Sequence, residues 1–295
     1  MTSDNKTNNS HGDWQSWDRV WKNGLAAEDE ILYRPDTPRT LRQLWQRCYF
    51  EDLWALLGPR AHTRTFLELG SGRATTSMYL AAHGAQSITL VDLAPHALEL
   101  AKRNFARCNL REPRTVLADA ASTGLPDASF DCIYKIGLLE HYEDPAPVLR
   151  ETWRLLAPDG LIFMVIVPRV PFTRSLAMRF RLQPLKAMIF CAKGIAKLSL
   201  RRHRQASTGF TRTELPPGEY LRIMSALGCT DAQCIPYNPF HPLDSSLHSE
   251  IAKTVAFCWE HYVRTVSSGT RPALRTARWS ALCDLLLCRK VTPTK

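Results

Sequence analysis

The sequence predicts an α/β fold built on a doubly wound, mainly parallel sheet. Three observations carry this. From Thr65 onward, short runs rich in Val, Ile and Leu alternate with helical stretches. Those runs are almost continuously apolar rather than alternating, as strands covered on both faces must be. A tight glycine turn joins the first run to the helix behind it.

Taken in order, residues 1–13 form a polar tail, and the chain is then aromatic and helical to about Arg60. Trp14, Trp17 and Trp21 stand at i, i+3 and i+7 and share one helical face. Such a stripe most often staples a helix to a core; the less common alternative, a lid over a ligand, draws modest support from five of the eight Trp preceding residue 55. TFLEL (65–69), SITLVD (87–92), RTVLAD (114–119), FDCIYKI (130–136) and LIFMVIV (161–167) read as strands. Helices begin near Arg73, Pro95 and Pro145, the two prolines suiting a first helical turn. Thr211, Thr213 and Glu214 open a further helix to about Leu227. GCTDAQCIPY then reads as a strand, residues 247–266 as an amphipathic helix, and ALCDLLLCRK (281–290) as the last strand.

The chain has 295 residues, 45% apolar and 22% charged, enough to bury a full core. Its longest apolar run, Leu161 to Val167, is far shorter than the roughly 20 residues of a membrane span. The polar N-terminus carries no apolar signal core, so an intracellular, cytoplasmic protein is expected. The nine Cys are scattered without a CxxC pair, the pattern of reduced core thiols rather than of disulfides or a metal site. No metal is expected.

The net charge of +10 looks like a nucleic-acid signal until it is located. Arg169 to Arg204 holds ten Lys or Arg and no acid, which accounts for the whole imbalance. Within it Lys186, Lys193, Lys197 and Arg201 share one helical arc, while Leu185, Met188, Ile189 and Ile195 share another. A basic face beside an apolar one suits an anionic membrane surface, or an ordinary helix packed on its own domain. No nucleic-acid partner is expected, because the rest of the chain is neutral and the segment carries no recognition motif.

The chemistry centres on Glu68-Leu69-Gly70-Ser71-Gly72-Arg73-Ala74. Gly70 and Gly72 let the backbone turn sharply and approach a ligand, with free amides of the following helix behind them. Asp92 ends the next strand about twenty residues on, where a carboxylate can accept both hydroxyls of a ribose, and Asp119 ends the third. A dinucleotide fingerprint would carry Gly or Ala where Thr75 stands, and Glu68 would repel a pyrophosphate but suit a cation. S-adenosylmethionine has a ribose, an ammonium and a sulfonium but no phosphate.

At these residues the chain resembles the class I S-adenosylmethionine-dependent methyltransferases. ELGSGRA resembles their first motif with Ala74 replacing its last Gly; SITLVD, VLADA, FDCIYKIGLLEHYEDP and LLAPDGLIFMVIV resemble the four that follow. The resemblance implies a Rossmann-like, seven-stranded, mainly parallel sheet with an antiparallel last strand and helical lid insertions. It implies S-adenosyl-L-methionine as cofactor. Glu68 and the Gly70, Ser71 and Gly72 backbone would hold its amino-acid end, Asp92 and Leu93 its ribose, Asp119 and Ala120 its adenine. The Leu139 to Pro145 string is similar to the loop of relatives acting on quinone precursors and small phenols, which makes His141 the candidate base. Glu140, its neighbour on a strand end, should point away from it. Those relatives also carry a basic amphipathic insertion after the fifth strand.

The expected organisation is a tail and helical cap (1–60), a cofactor-binding core (61–168), a basic insertion (169–210) and the C-terminal part of the same domain (211–295). The expected activity is O- or N-methylation of a small, lipophilic acceptor, with a peripheral membrane association through residues 169–204. A nicotinamide-dependent oxidoreductase and a non-catalytic scaffold of the same fold are the alternatives.

Overall fold

The computed structural model describes residues 14–26, 31–167, 215–237 and 283–291, with isolated positions between the last two stretches. Its core is a seven-stranded sheet of order β3-β2-β1-β4-β5-β7-β6. The strands are β1 (Thr65–Leu69), β2 (Ser87–Asp92), β3 (Arg114–Leu117), β4 (Phe130–Ile136), β5 (Leu156–Ile166), β6 (Gln233–Tyr237) and β7 (Cys283–Arg289). β1 pairs with β2 and β4, β2 with β3, and β4 with β5, all parallel. Only β7 runs against its neighbours, between β5 and β6.

Strand order reverses between β1 and β4, so the crevice above their carboxyl ends is where a ligand belongs in this topology. Among the described residues the helices in chain order are α1 (Trp14–Ala26), α2 (Leu41–Leu57), α3 (Thr75–Ala82), α4 (Pro95–Arg107), α5 (Ala146–Leu155) and α6 (Pro217–Ala226). Phe66 and Tyr134 pack with Met78 of α3 and Leu44 and Leu53 of α2. Their strand neighbours Leu67 and Ile133 pack on the opposite face with Leu149 of α5 and Met224 of α6. Both faces are buried, hence the unbroken apolar runs, and each large side chain so buried contributes about 1.5–3 kcal/mol.

α2 is started by a capping box in which Thr40 Oγ1 accepts from the Gln43 amide and Gln43 Oε1 from the Thr40 amide. Tyr237 of β6 donates to buried Asp52 of α2 at 2.7 Å, tying the N-terminal helices to the far edge of the sheet.

Some expectations shift. β3 stops at Leu117, because the Ala118 amide donates to Asp92 O and the chain then turns into an Asp119–Ser122 bridge. The third helix starts at Thr75, since Ala74 takes a left-handed φ of 54°. α6 starts at Pro217. The expectation of reduced thiols fails at one pair: Cys229 and Cys288 are disulfide-bonded, 59 residues apart in sequence and brought together where β7 passes the turn before β6. Among the described residues Cys108, Cys132 and Cys258 are free thiols. The basic insertion and most of the 247–266 helix lie outside the described residues.

Candidate active site

β1 ends at Leu69, and the chain turns back with φ values of +60° at Gly70 and +51° at Gly72, which side chains disfavour. There is no room for them either: a Cβ on Gly70 would stand 2.9 Å from Leu138, and one on Gly72 2.9 Å from the Trp21 ring. The turn is fastened to β2. The Ser71 amide donates to Val91 O at 3.0 Å and the Gly72 amide to Asp92 Oδ2 at 2.9 Å. Asp92 Oδ1 takes the Ala94 amide at 2.9 Å. Each carboxylate oxygen keeps a further lone pair for a ligand hydroxyl.

Glu68 lies one strand away and is 4% exposed. Ser77 of α3 donates to its Oε2 at 2.5 Å and shares a second 2.5 Å bond with the Tyr134 hydroxyl. Burial pushes both carboxyls above their ordinary pKa, Glu68 against Lys135 and Ser77, Asp92 against the Gly72 and Ala94 amides. Two acids held this way gain most from a ligand that brings positive charge.

These groups open into one cavity of about 460 Å³, within the range of small-molecule sites. Glu68, Gly70, Ser71, Gly72, Asp92, Leu93 and Ala120 all line it, as does His141. The buried Ser71 hydroxyl has no hydrogen-bond partner among the described residues, as expected of a group awaiting a polar ligand. Asp119 is the exception: it is not on the cavity wall. Because the chain turns sharply after β3, its Oδ1 accepts from the Ala121 amide at 2.8 Å and the Tyr142 hydroxyl at 3.2 Å. It braces the loop from beneath.

His141 sits in a one-turn 3-10 helix, Leu139–His141, not at a strand end. The tighter turn swings neighbouring side chains together, so Glu140 Oε1 lies 3.9 Å from His141 Nε2 and both line the cavity. The expectation that they point apart is therefore corrected. The imidazole meets the edge of Trp17 with ring centroids 4.7 Å apart.

The tryptophan stripe resolves in favour of the lid, for Trp14, Trp17 and Trp21 all line the cavity. α1 is docked on α4 through Asp18, which accepts from the His96 amide at 3.0 Å and contacts its Nδ1 at 2.7 Å. Leu32, Arg42, Gln46, Ile136 and Val167 also line the cavity and carry no signal in the sequence. Lys135, buried and on the same cavity wall as Glu68, was also missed; the one basic residue in the run FDCIYKI is the signal that marks it.

Comparison with known proteins agrees with this geometry. Residues 67–164 match the family model described as a methyltransferase domain. Over 119 residues the chain is 36% identical to the malonyl-[acyl-carrier protein] O-methyltransferase of Halorhodospira halophila, covering 40% of each protein. Over 111 residues it is 31% identical to the ubiquinone biosynthesis O-methyltransferase of Xanthomonas oryzae pv. oryzae, covering 38% of this chain and 46% of that protein. The chain thus spans less than half the length of these curated relatives. Among solved structures it superposes on an S-adenosylmethionine-dependent methyltransferase of Thermotoga maritima, described as a possible histamine N-methyltransferase. The TM-score is 0.54 at 14% identity, over 94% of this chain and 99% of that one. It superposes equally on the [4+2]-cyclase SpnF, with TM-score 0.53 at 18% identity over 94% of both chains. These likenesses show the Rossmann-like fold, which evidently hosts more than one chemistry.

Proposed function

We propose that this chain, whose residues 67–164 match a methyltransferase domain, is an S-adenosylmethionine-dependent methyltransferase acting on a small, lipophilic acceptor. The observation that carries the reading is the shared cavity. It brings the glycine turn, the Asp92 and Glu68 carboxylates and the His141 imidazole to one space under an aromatic lid. The cofactor is S-adenosyl-L-methionine, which supplies an electrophilic methyl on a sulfonium.

The residues divide the work. Asp92 accepts from the ribose hydroxyls, Leu93 and Ala120 flank the adenosyl group, and the Gly70 to Gly72 backbone with Glu68 holds the amino-acid end. Trp14 and Trp17 with Leu32 and Val167 give the acceptor an apolar, flat-sided slot and exclude water from the line of displacement. His141 Nε2 takes the proton from the attacking oxygen or nitrogen, and Glu140 steadies the resulting imidazolium from 3.9 Å. The two curated relatives are O-methyltransferases by name, which favours oxygen as the attacking atom. The basic face of residues 169–204 would hold the protein at an anionic membrane surface, within reach of acceptors dissolved there, and the protein would work from the cytoplasmic side.

Calorimetry with S-adenosylmethionine, S-adenosylhomocysteine and NADH tests the cofactor. Binding of the first two and not the third is expected, and Asp92→Ala should weaken it at least tenfold. A labelled methyl donor offered with quinone precursors, phenols and free acids then tests turnover. Tight NADH binding, or no heat with either adenosyl ligand, would overturn the reading.

A further inference from the structure

We infer that Lys135 is the residue that takes the carboxylate of the cofactor's amino-acid end, so that Lys135 and Glu68 together read a zwitterion. This rests on the methyl-donor reading above. That cofactor ends in an α-ammonium and an α-carboxylate on one carbon. Its recognition therefore needs an acceptor and a cation a few ångströms apart.

Among the described residues three Lys or Arg side chains line the cavity: Arg42, Arg73 and Lys135. Arg42 is exposed on α2, and Arg73 leans over the Trp21 ring with Cζ 6.0 Å from its centroid. Lys135 alone is buried, at 8% exposure, and stands where the amino-acid end must lie. It follows Tyr134 on β4, and Tyr134 is directly in register with Glu68 on β1. Its ammonium donates to the carbonyl of Gly70, the first residue of the glycine turn, and feels the charges of both Glu68 and Asp92.

A lysine does not occupy such a site without reason. Burying an ammonium costs several kcal/mol unless opposite charge and hydrogen bonds offset it. Here one N–H is used by Gly70, leaving two of its three donors for a ligand. In the protein alone the Lys135 charge offsets part of the cost of burying Glu68. A bound zwitterion lets each exchange that partner for the matching group of the ligand, so both buried charges remain paired.

Binding without turnover tests the assignment, by calorimetry on the full-length protein with S-adenosylmethionine and decarboxylated S-adenosylmethionine, which keeps the ammonium, sulfonium and ribose. Wild type should bind the decarboxylated ligand about tenfold more weakly, and Lys135→Met should bind both alike, losing affinity only for the carboxylate-bearing one. A variant weakened equally toward both ligands, or one that keeps the wild-type preference, would overturn the inference and assign Lys135 to the fold alone. Should Lys135→Met not fold, Lys135→Gln keeps a donor on a chain one atom shorter and removes the charge; a preference reduced but not abolished supports the inference, and an unchanged one overturns it. Failure of wild type to bind either ligand would instead remove the methyl-donor reading, and this inference with it.

Discussion

At the scale of single residues, the cradle works by holding two carboxyls against their solvation. Burial raises the pKa of Glu68 and Asp92, so in the protein alone these sites bind protons more tightly than they do in the unfolded chain. The stability that protonation confers there is present in acid and is lost as pH rises through the raised values. Donor affinity must run the opposite way, because only the ionised carboxyls attract a cation. Calorimetry against pH should therefore show affinity falling as pH descends through those raised values, above the usual carboxylate range. A profile flat through that region would mean neither acid contacts the ligand. His141 makes a second prediction: His141→Asn should lower kcat about 10²- to 10⁴-fold while leaving donor affinity unchanged, since the ring faces the acceptor side beside Trp17. A matching loss of donor affinity would place it with the cofactor instead. None of this depends on sequence foresight at every position. The acids were legible because they stand at the carboxyl ends of predicted strands, Asp92 in the last position and Glu68 one before it, whereas Lys135 was hidden inside a strand it does not disrupt. Asp119 ends the third predicted strand, but the turn after Leu117, in which its carboxylate accepts from the Ala121 amide and the Tyr142 hydroxyl, carries no sequence signal.

Elements were legible in proportion to their regularity. Continuous Val, Ile and Leu runs marked the strands, and proline marked the starts of α4 and α5. The Leu139–His141 turn was not seen, because a single 3-10 turn is too short to show a period. Nor was the Cys229–Cys288 bond, which joins residues 59 apart with no spacing rule to announce it. The Trp stripe gave α1 its helical face, but not the manner of its docking. α4 begins at Pro95 behind an N-cap residue, Ala94, that has no side chain to cap it, and Asp18 of α1 supplies a cap from outside by accepting the His96 amide. Asp18→Ala should then cost about 1 kcal/mol, lowering Tm by a few degrees and hastening proteolytic cleavage within α1. Unchanged melting and cleavage would show that Trp21 against Gly72 suffices to hold the helix.

For the whole molecule, the even balance of charge outside residues 169–204 means that any long-range attraction to a surface must come from that segment. Flotation with anionic vesicles should carry the wild-type protein upward, and exchanging Lys186, Lys193, Lys197 and Arg201 for Glu should leave it at the bottom. Equal flotation of both proteins, or of neither, would retire the membrane association. The chamber itself has a temporal consequence. Trp21 lies against the glycine turn and Trp17 against His141, so on the proposed reading donor and acceptor would share one vestibule under one helix. The guest seated deepest cannot leave past the other. Catalysis should then proceed in a compulsory sequence, adenosyl partner first on and last off, with its spent form competing against fresh donor but not against the acceptor.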